Sequence, residues 1–274
     1  MNTSRGSGLG RWPRRRENKK TSNVERPTSN FEFKDHFSKQ AADYARFRPR
    51  YPKELFRWLG AIAAAREVAW DCATGNGQAA VELAEVFERV IATDASETQI
   101  ANAERHLRVE YRVATAEASG LESQSVDLVT VAQALHWFDL ERFETEAWRV
   151  LKPGGIVVAW AYKLATVSPA IDAVVNHYYS KVVGPYWPAE RGLVEKFEDL
   201  PFGFEQIAPP WFEMRAEWSF VHLLGYLRTW SATQRFLATE KRDPLEDVEE
   251  ELRRAWGDEP RRVVWPLTVK AGKV

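Results

Sequence analysis

The chain has 274 residues, with 38 Lys and Arg against 39 Asp and Glu, for a formal net charge of −1. That average joins two unlike parts: residues 1–30 hold eight basic and two acidic side chains, a charge of +6, and the other 244 hold 30 basic and 37 acidic, a charge of −7. No stretch approaches the roughly 20 apolar residues of a membrane-spanning helix, and the single cysteine, Cys72, excludes an internal disulfide and a multi-cysteine zinc site, as befits a reducing, cytoplasmic setting.

Residues 1–30 are rich in Gly, Ser, Asn, Pro and Arg without apolar periodicity, and are expected to form a disordered basic leader. The segment has no apolar core of the kind a secretory signal needs, and it lacks the amphipathic helix of a transit peptide. A nucleic-acid arm and an inert tail are both open readings. Residues 31–274 are expected to form one domain: a ligand-binding half (31–163), a helical cap (about 164–204) and a sheet-completing part (205–274). The 45% apolar content of the whole chain is enough for a sizeable core.

Residues 31–52 have an Ala-rich, helix-like middle that breaks at Pro49 and Pro52. Pro52 suits the first turn of a helix carrying Leu55, Trp58, Leu59 and Ile62 on one face. The chain then alternates. EVAWDC (67–72) reads as a strand, followed by a Gly-containing turn and a helix with Val81, Leu83, Ala84 and Phe87. RVIATD (89–94) is a second strand; Ser96 and Gln99 make a capping pattern for a helix whose Ile100, Ala103 and Leu107 share a face. VEYRVAT (109–115) and SVDLVTVAQ (125–133) are the third and fourth strands. Asp139 caps a helix running to about Leu151, and IVVAWAY (156–162) is the fifth strand. Near-continuous apolar strands alternating with helices predict a parallel sheet covered on both faces, an α/β doubly wound fold.

The last 110 residues change character. Residues 168–203 read as mostly helical, and FEMRAEWSF (212–220) alternates as a strand. Helical segments are predicted near 221–237 and 244–256, and RVVWPLTV (262–269) as a last strand, with Pro266 ill-suited to a central ladder position. Twelve tryptophans, seven of them between Trp137 and Trp265, point to an aromatic second half.

In open α/β sheets the ligand lies beyond the carboxyl ends of the strands. After strand one stands DCATGNGQ (71–78), where Gly75 and Gly77 permit close backbone approach and Asp71 places a carboxylate in the turn. That charge suits a cationic or zwitterionic ligand rather than a pyrophosphate. Asp94, at the end of strand two, is placed to accept both hydroxyls of a ribose. Ala116 and Glu117 follow strand three; Gln133, Ala134, Leu135, His136 and Trp137 follow strand four. Cys72 reads as a small buried strand residue.

These segments resemble the class I S-adenosylmethionine-dependent methyltransferases, and within them the small-molecule enzymes related to trans-aconitate methyltransferase. The resemblance rests on ADYARFRPRYP (42–52), DCATGNGQ (71–78), VIATDAS (90–96), the run 114–139 and LKPGG (151–155). It implies a seven-stranded Rossmann-like sheet completed by two late strands, S-adenosyl-L-methionine as cofactor, and a small-molecule acceptor. It also implies cofactor contacts from Asp71, Ala73, Thr74, Gly75, Gly77, Asp94, Ala95, Ala116, Glu117, Gln133 and Ala134. Tyr44, Arg46, Arg48 and Trp137 are implied on the acceptor side. The loop departs from the family's Asp-x-Gly-x-Gly-x-Gly at Ala73, a small intrusion if its φ is negative, and Thr115 stands where many relatives have Asp.

Arg46 or Arg48 can hold an acceptor carboxylate through a guanidinium fork. A carboxylate nucleophile needs no base; for other nucleophiles His136 is the candidate at a strand end, its plainer reading being a backbone-bonded histidine at a helix start. The aromatic run Tyr178, Tyr179, Tyr186 and Trp187 lines a cap or forms its core. Three rival functions stand beside this reading, one of them a protein that binds the cofactor without transferring methyl. A nicotinamide oxidoreductase requires a third glycine inside the helix and no acid in the turn. An RNA or DNA methyltransferase requires a basic stripe that the acidic body lacks. No metal, membrane or oligomeric partner is called for by the pattern.

Overall fold

The computed structural model describes residues 47–188 and 191–274. The expected leader, most of the segment 31–52, and Tyr44 and Arg46 lie outside the described residues.

Helix α1 (Lys53–Ile62) starts after Pro52, whose fixed φ suits the cap position. The alternation then runs β1 (Val68–Cys72), α2 (Gln78–Leu83), β2 (Arg89–Asp94), α3 (Glu97–Ala101), β3 (Val109–Val113), β4 (Val126–Ala132), α4 (Leu140–Val150) and β5 (Leu151–Tyr162). Helix α3 is capped by Ser96 as the spacing predicts, but ends at Ala101, so Leu107 falls outside it and is fully exposed. Asp139 accepts the Arg142 N–H and caps α4.

Strands β1–β5 pair in parallel in the order β3-β2-β1-β4-β5. Their side chains sort by the two-residue period of a strand. Ala69, Leu128, Ile156, Val158 and Trp160 face one hydrophobic layer. Trp70, Val129, Val157 and Ala159 face the other, where Phe143 and Ala147 of α4 cover them.

Beyond β5 come α5 (Pro169–His177), a π turn (Tyr178–Val182), short 3-10 turns at Gly184–Tyr186 and Phe197–Asp199, and α6 (Arg191–Glu195). The sheet resumes with β6 (Glu205–Ile207) and β7 (Phe212–Trp218). Helices α7 (Phe220–Arg228), α8 (Ser231–Glu240) and α9 (Glu249–Trp256) follow, and then β8 (Arg261–Lys273). Strand β8 runs antiparallel to β5 on one side and to β6 and β7 on the other.

The sheet therefore has eight strands where seven were predicted. The edge opposite β5 is broken between Ile207 and Phe212, where Pro209 and Pro210 cannot donate to β8. Pro266 sits within β8 without a broken ladder. Val264 exchanges both backbone hydrogen bonds with Thr166 on the β5 side, and Pro266, two residues on, points the same way. There β5 has already ended at Tyr162, so no neighbouring carbonyl loses a donor.

Candidate functional site

The first half of the site forms at the ends of β1 and β2. Asp71, expected in the turn as a ligand-facing charge, is instead a fully buried strand residue. Its carboxylate accepts the Thr74 hydroxyl at 2.5 Å and the Thr130 hydroxyl at 2.8 Å. Burial raises its pKa from 3.8 to about 6, the two hydroxyls opposing the shift. Asp71 thus holds the loop from beneath.

Asp94 holds the same loop from the side. Its Oδ2 accepts the Gly75 N–H and its Oδ1 the Ser96 N–H, both at 2.9 Å. Thr74 and Asp94 are buried, and Ala95 and Gly75 half-buried. Among the described residues, a Cβ at Gly75 would meet nothing within 4 Å.

Ala73 takes φ +54°, against the negative φ assumed for it. A left-handed alanine costs about 1 kcal/mol or more, and the anchors on either side sustain it. Gly77 takes φ +84°, and the Tyr111 hydroxyl of β3 lies where its Cβ would be.

The loop after β3 is fixed from α4. Glu146 accepts the Ser119 N–H at 2.9 Å and pairs with Arg149, whose guanidinium holds its pKa down to about 2. Ala116 is buried in this loop, and Glu117 accepts the Asp139 N–H at 3.1 Å.

The second half lies beyond β4 and β5. Gln133 has φ +57°, and its side-chain amide both donates to the Tyr162 carbonyl and accepts the Tyr162 N–H, each at 3.1 Å. That clasp joins the two strand ends beside buried Ala134. A cavity of about 100 Å³ opens there; its walls include Arg48, Gln133, His136, Trp137, Lys163 and Arg191. Arg48 donates to the Tyr162 hydroxyl at 3.2 Å and lies 5.1 Å over the Tyr226 ring. Arg191 donates to the Tyr179 hydroxyl at 3.0 Å and stacks 5.1 Å from Trp187.

Among the described residues the His136 ring forms no hydrogen bond to backbone, against its plainer reading, and its Nδ1 is buried without a partner. Burial, and secondarily the Arg191 charge, lowers its pKa to about 3. Of the predicted aromatic run, Trp187 lines the cavity, while Tyr178 is core, bonded to Thr233 at 2.8 Å. Trp137 is 36% exposed at the rim. Among the described residues, no three His, Cys, Asp or Glu side chains group as a metal site.

Sequence reasoning missed Tyr162, Lys163 and Arg191. Tyr162 ends β5 and Lys163 follows it, so the strand-end rule that found the others reaches them. Arg191 comes from the cap and carries no local signal.

Residues 70–159 match the family described as Methyltransferase domain. A relative from Dictyostelium discoideum, named as a methyltransferase, is 36% identical over 241 residues, covering 86% of this chain and 90% of its own. The chain belongs to the S-adenosylmethionine-dependent methyltransferases. A solved structure described as a type II methyltransferase of Anaeromyxobacter dehalogenans shares 47% identity, with a TM-score of 0.78 over 83% of this chain and 98% of that one. A Saccharomyces cerevisiae relative named as an S-adenosylmethionine-dependent methyltransferase is 30% identical over 132 residues, 45% of each chain. S-adenosylmethionine is the family's methyl donor, and the loop fits it: among the described residues nothing lies within 4 Å of a Cβ at Gly75, and the Asp94 carboxylate stands beside that turn.

Proposed function

We propose that this methyltransferase acts on a small anionic molecule and esterifies a carboxylate. The supporting observation is charge. Among the described residues that line the cavity beyond β4 and β5, Arg48, Lys163 and Arg191 are charged and none carries a carboxylate, in a body whose charge outside residues 1–30 is −7. Cations gathered against the sign of their surroundings favour an anion, the more so where low-dielectric rings limit screening.

Bound S-adenosylmethionine supplies a methyl group on a sulfonium for in-line displacement. In this reading Asp94 accepts the ribose hydroxyls and the backbone of Ala73, Thr74 and Gly75 cradles the methionine part. Ala116 and Glu117 flank the adenine, and Gln133 and Ala134 border the reacting end. Arg48 and Arg191 hold the acceptor, and Trp137 closes the rim. An ionised carboxylate needs no proton removed, so alignment and exclusion of water supply the acceleration. Tyr44 and Arg46 join the acceptor side on the resemblance of 42–52, which with His136-Trp137 supports the trans-aconitate methyltransferase-like branch. The lone buried Cys72 accords with a cytoplasmic setting.

The test is transfer of labelled methyl to a panel of small carboxylic acids, phenols and amines. Base-labile product from the acids is the expected result. Base-stable product from neutral acceptors, with none from acids, refutes the carboxylate reading.

A further inference from the structure

The two ring nitrogens of His136 stand in different surroundings. The residue lies in the 3-10 turn Leu135–Trp137 at the end of β4, 9% exposed, its ring 4.8 Å from that of Trp137. Nδ1 is buried and has no hydrogen-bond partner. Nε2 is not buried and unpartnered in the same way, and the residue lines the cavity. A neutral imidazole carries one N–H and one lone pair. Orphaned buried N–H groups are rarer and costlier than under-satisfied acceptors. The lone pair therefore belongs at Nδ1 and the hydrogen at Nε2.

We infer that His136 is a neutral Nε2–H donor that orients the acceptor's carboxylate in the cavity, and is not a general base. The inference rests on the anionic-acceptor reading and assigns a specificity residue within that site. The ring's remaining lone pair, at Nδ1, is shut away from any substrate proton. The charged groups that share its cavity among the described residues, Arg48, Lys163 and Arg191, are all cationic. None of them favours the imidazolium, and burial keeps the ring neutral at physiological pH. A neutral donor among cations adds direction to the anion's binding without adding charge.

The first measurement needs no acceptor. In the ¹⁵N-labelled full-length protein, with the His136 signals assigned by their loss in His136→Phe, the proton is expected on Nε2 from about pH 5.5 to 8.5. A proton on Nδ1, or an imidazolium in that range, overturns the inference even if the anionic-acceptor reading stands.

The second measurement uses whichever acid the panel shows to be methylated. His136→Phe and His136→Asn, which place no donor at the Nε2 position, should raise the acceptor KM about 10- to 100-fold with little change in kcat. His136→Gln, whose amide reaches that position, should restore KM to within about threefold. An unchanged KM in His136→Phe, or a kcat that rises with pH in the native enzyme and is lost in both His136→Phe and His136→Gln, overturns it. If no acid is methylated, the anionic-acceptor reading fails, and the tautomer measurement still decides the state of the ring.

Discussion

At the ends of β1 and β2, two carboxylates within residues 71–94 grip a loop lying between them in sequence, through the Thr74 hydroxyl and the Gly75 N–H. At the ends of β4 and β5, cations and rings converge from Arg48, Lys163, Arg191 and Tyr226, brought together by the cap and the C-terminal helices. One side is acidic, local and internally hydrogen-bonded; the other is basic and assembled across the chain. A site for a cofactor that every relative uses can be encoded in one short segment. A site for an acceptor that differs between relatives draws on the parts of the fold that vary.

The sharpest way to break this comparison is Asp94→Ala. Loss of two charge-assisted hydrogen bonds to the ribose should cost about 4 kcal/mol, near a thousandfold in Kd for S-adenosylmethionine by calorimetry. Unchanged affinity removes Asp94 from the cofactor side.

Asp71→Asn tests whether the anchor beneath the loop is a strained charge. Its native pKa, about 6, lies above the unfolded 3.8, so its contribution to stability is full below pH 3.8 and is lost as pH rises through 6. The variant should gain about 3 kcal/mol over the native chain at pH 7, the gain shrinking towards pH 4 in urea unfolding. A pH-independent difference contradicts the raised pKa.

Arg191→Met should leave cofactor affinity alone while weakening acceptor binding by about 2 kcal/mol, read as a KM increase. If both affinities fall together, the two sides are not separable. The smallest effect is expected from Ala73→Gly. It relieves a left-handed alanine but adds unfolded-state freedom, for a net gain of at most about 1 kcal/mol in thermal unfolding.

The loop at the ends of β1 and β2 was largely legible in the sequence because its elements are consecutive and obey the strand-end rule. Asp94 and the Gly75 turn fall where the pattern puts them. Asp71 falls inside the strand predicted over 67–72, but its carboxylate turns under the loop to Thr74 and Thr130, a direction that no local pattern displays. The sign of φ at Ala73 is set by anchors above and below it, which no local pattern displays. On the other side, Arg191 and Tyr226 carry no motif; only the folded cap brings them to Gln133 and His136. The broken edge strand was half-read: 212–218 alternates clearly, whereas three residues at 205–207 are too few to show a period.

Gly77 and Tyr111 constrain how the sequence can drift. Any side chain at 77 meets the Tyr111 hydroxyl and also inherits a left-handed backbone. A change at 77 is therefore viable only after 111 has lost its ring, and an early change at 111 leaves 77 still confined by its own φ. The order of substitutions is imposed by the fold, so a survey of distant relatives should find 111 varying over a glycine far more often than 77 varying under a tyrosine.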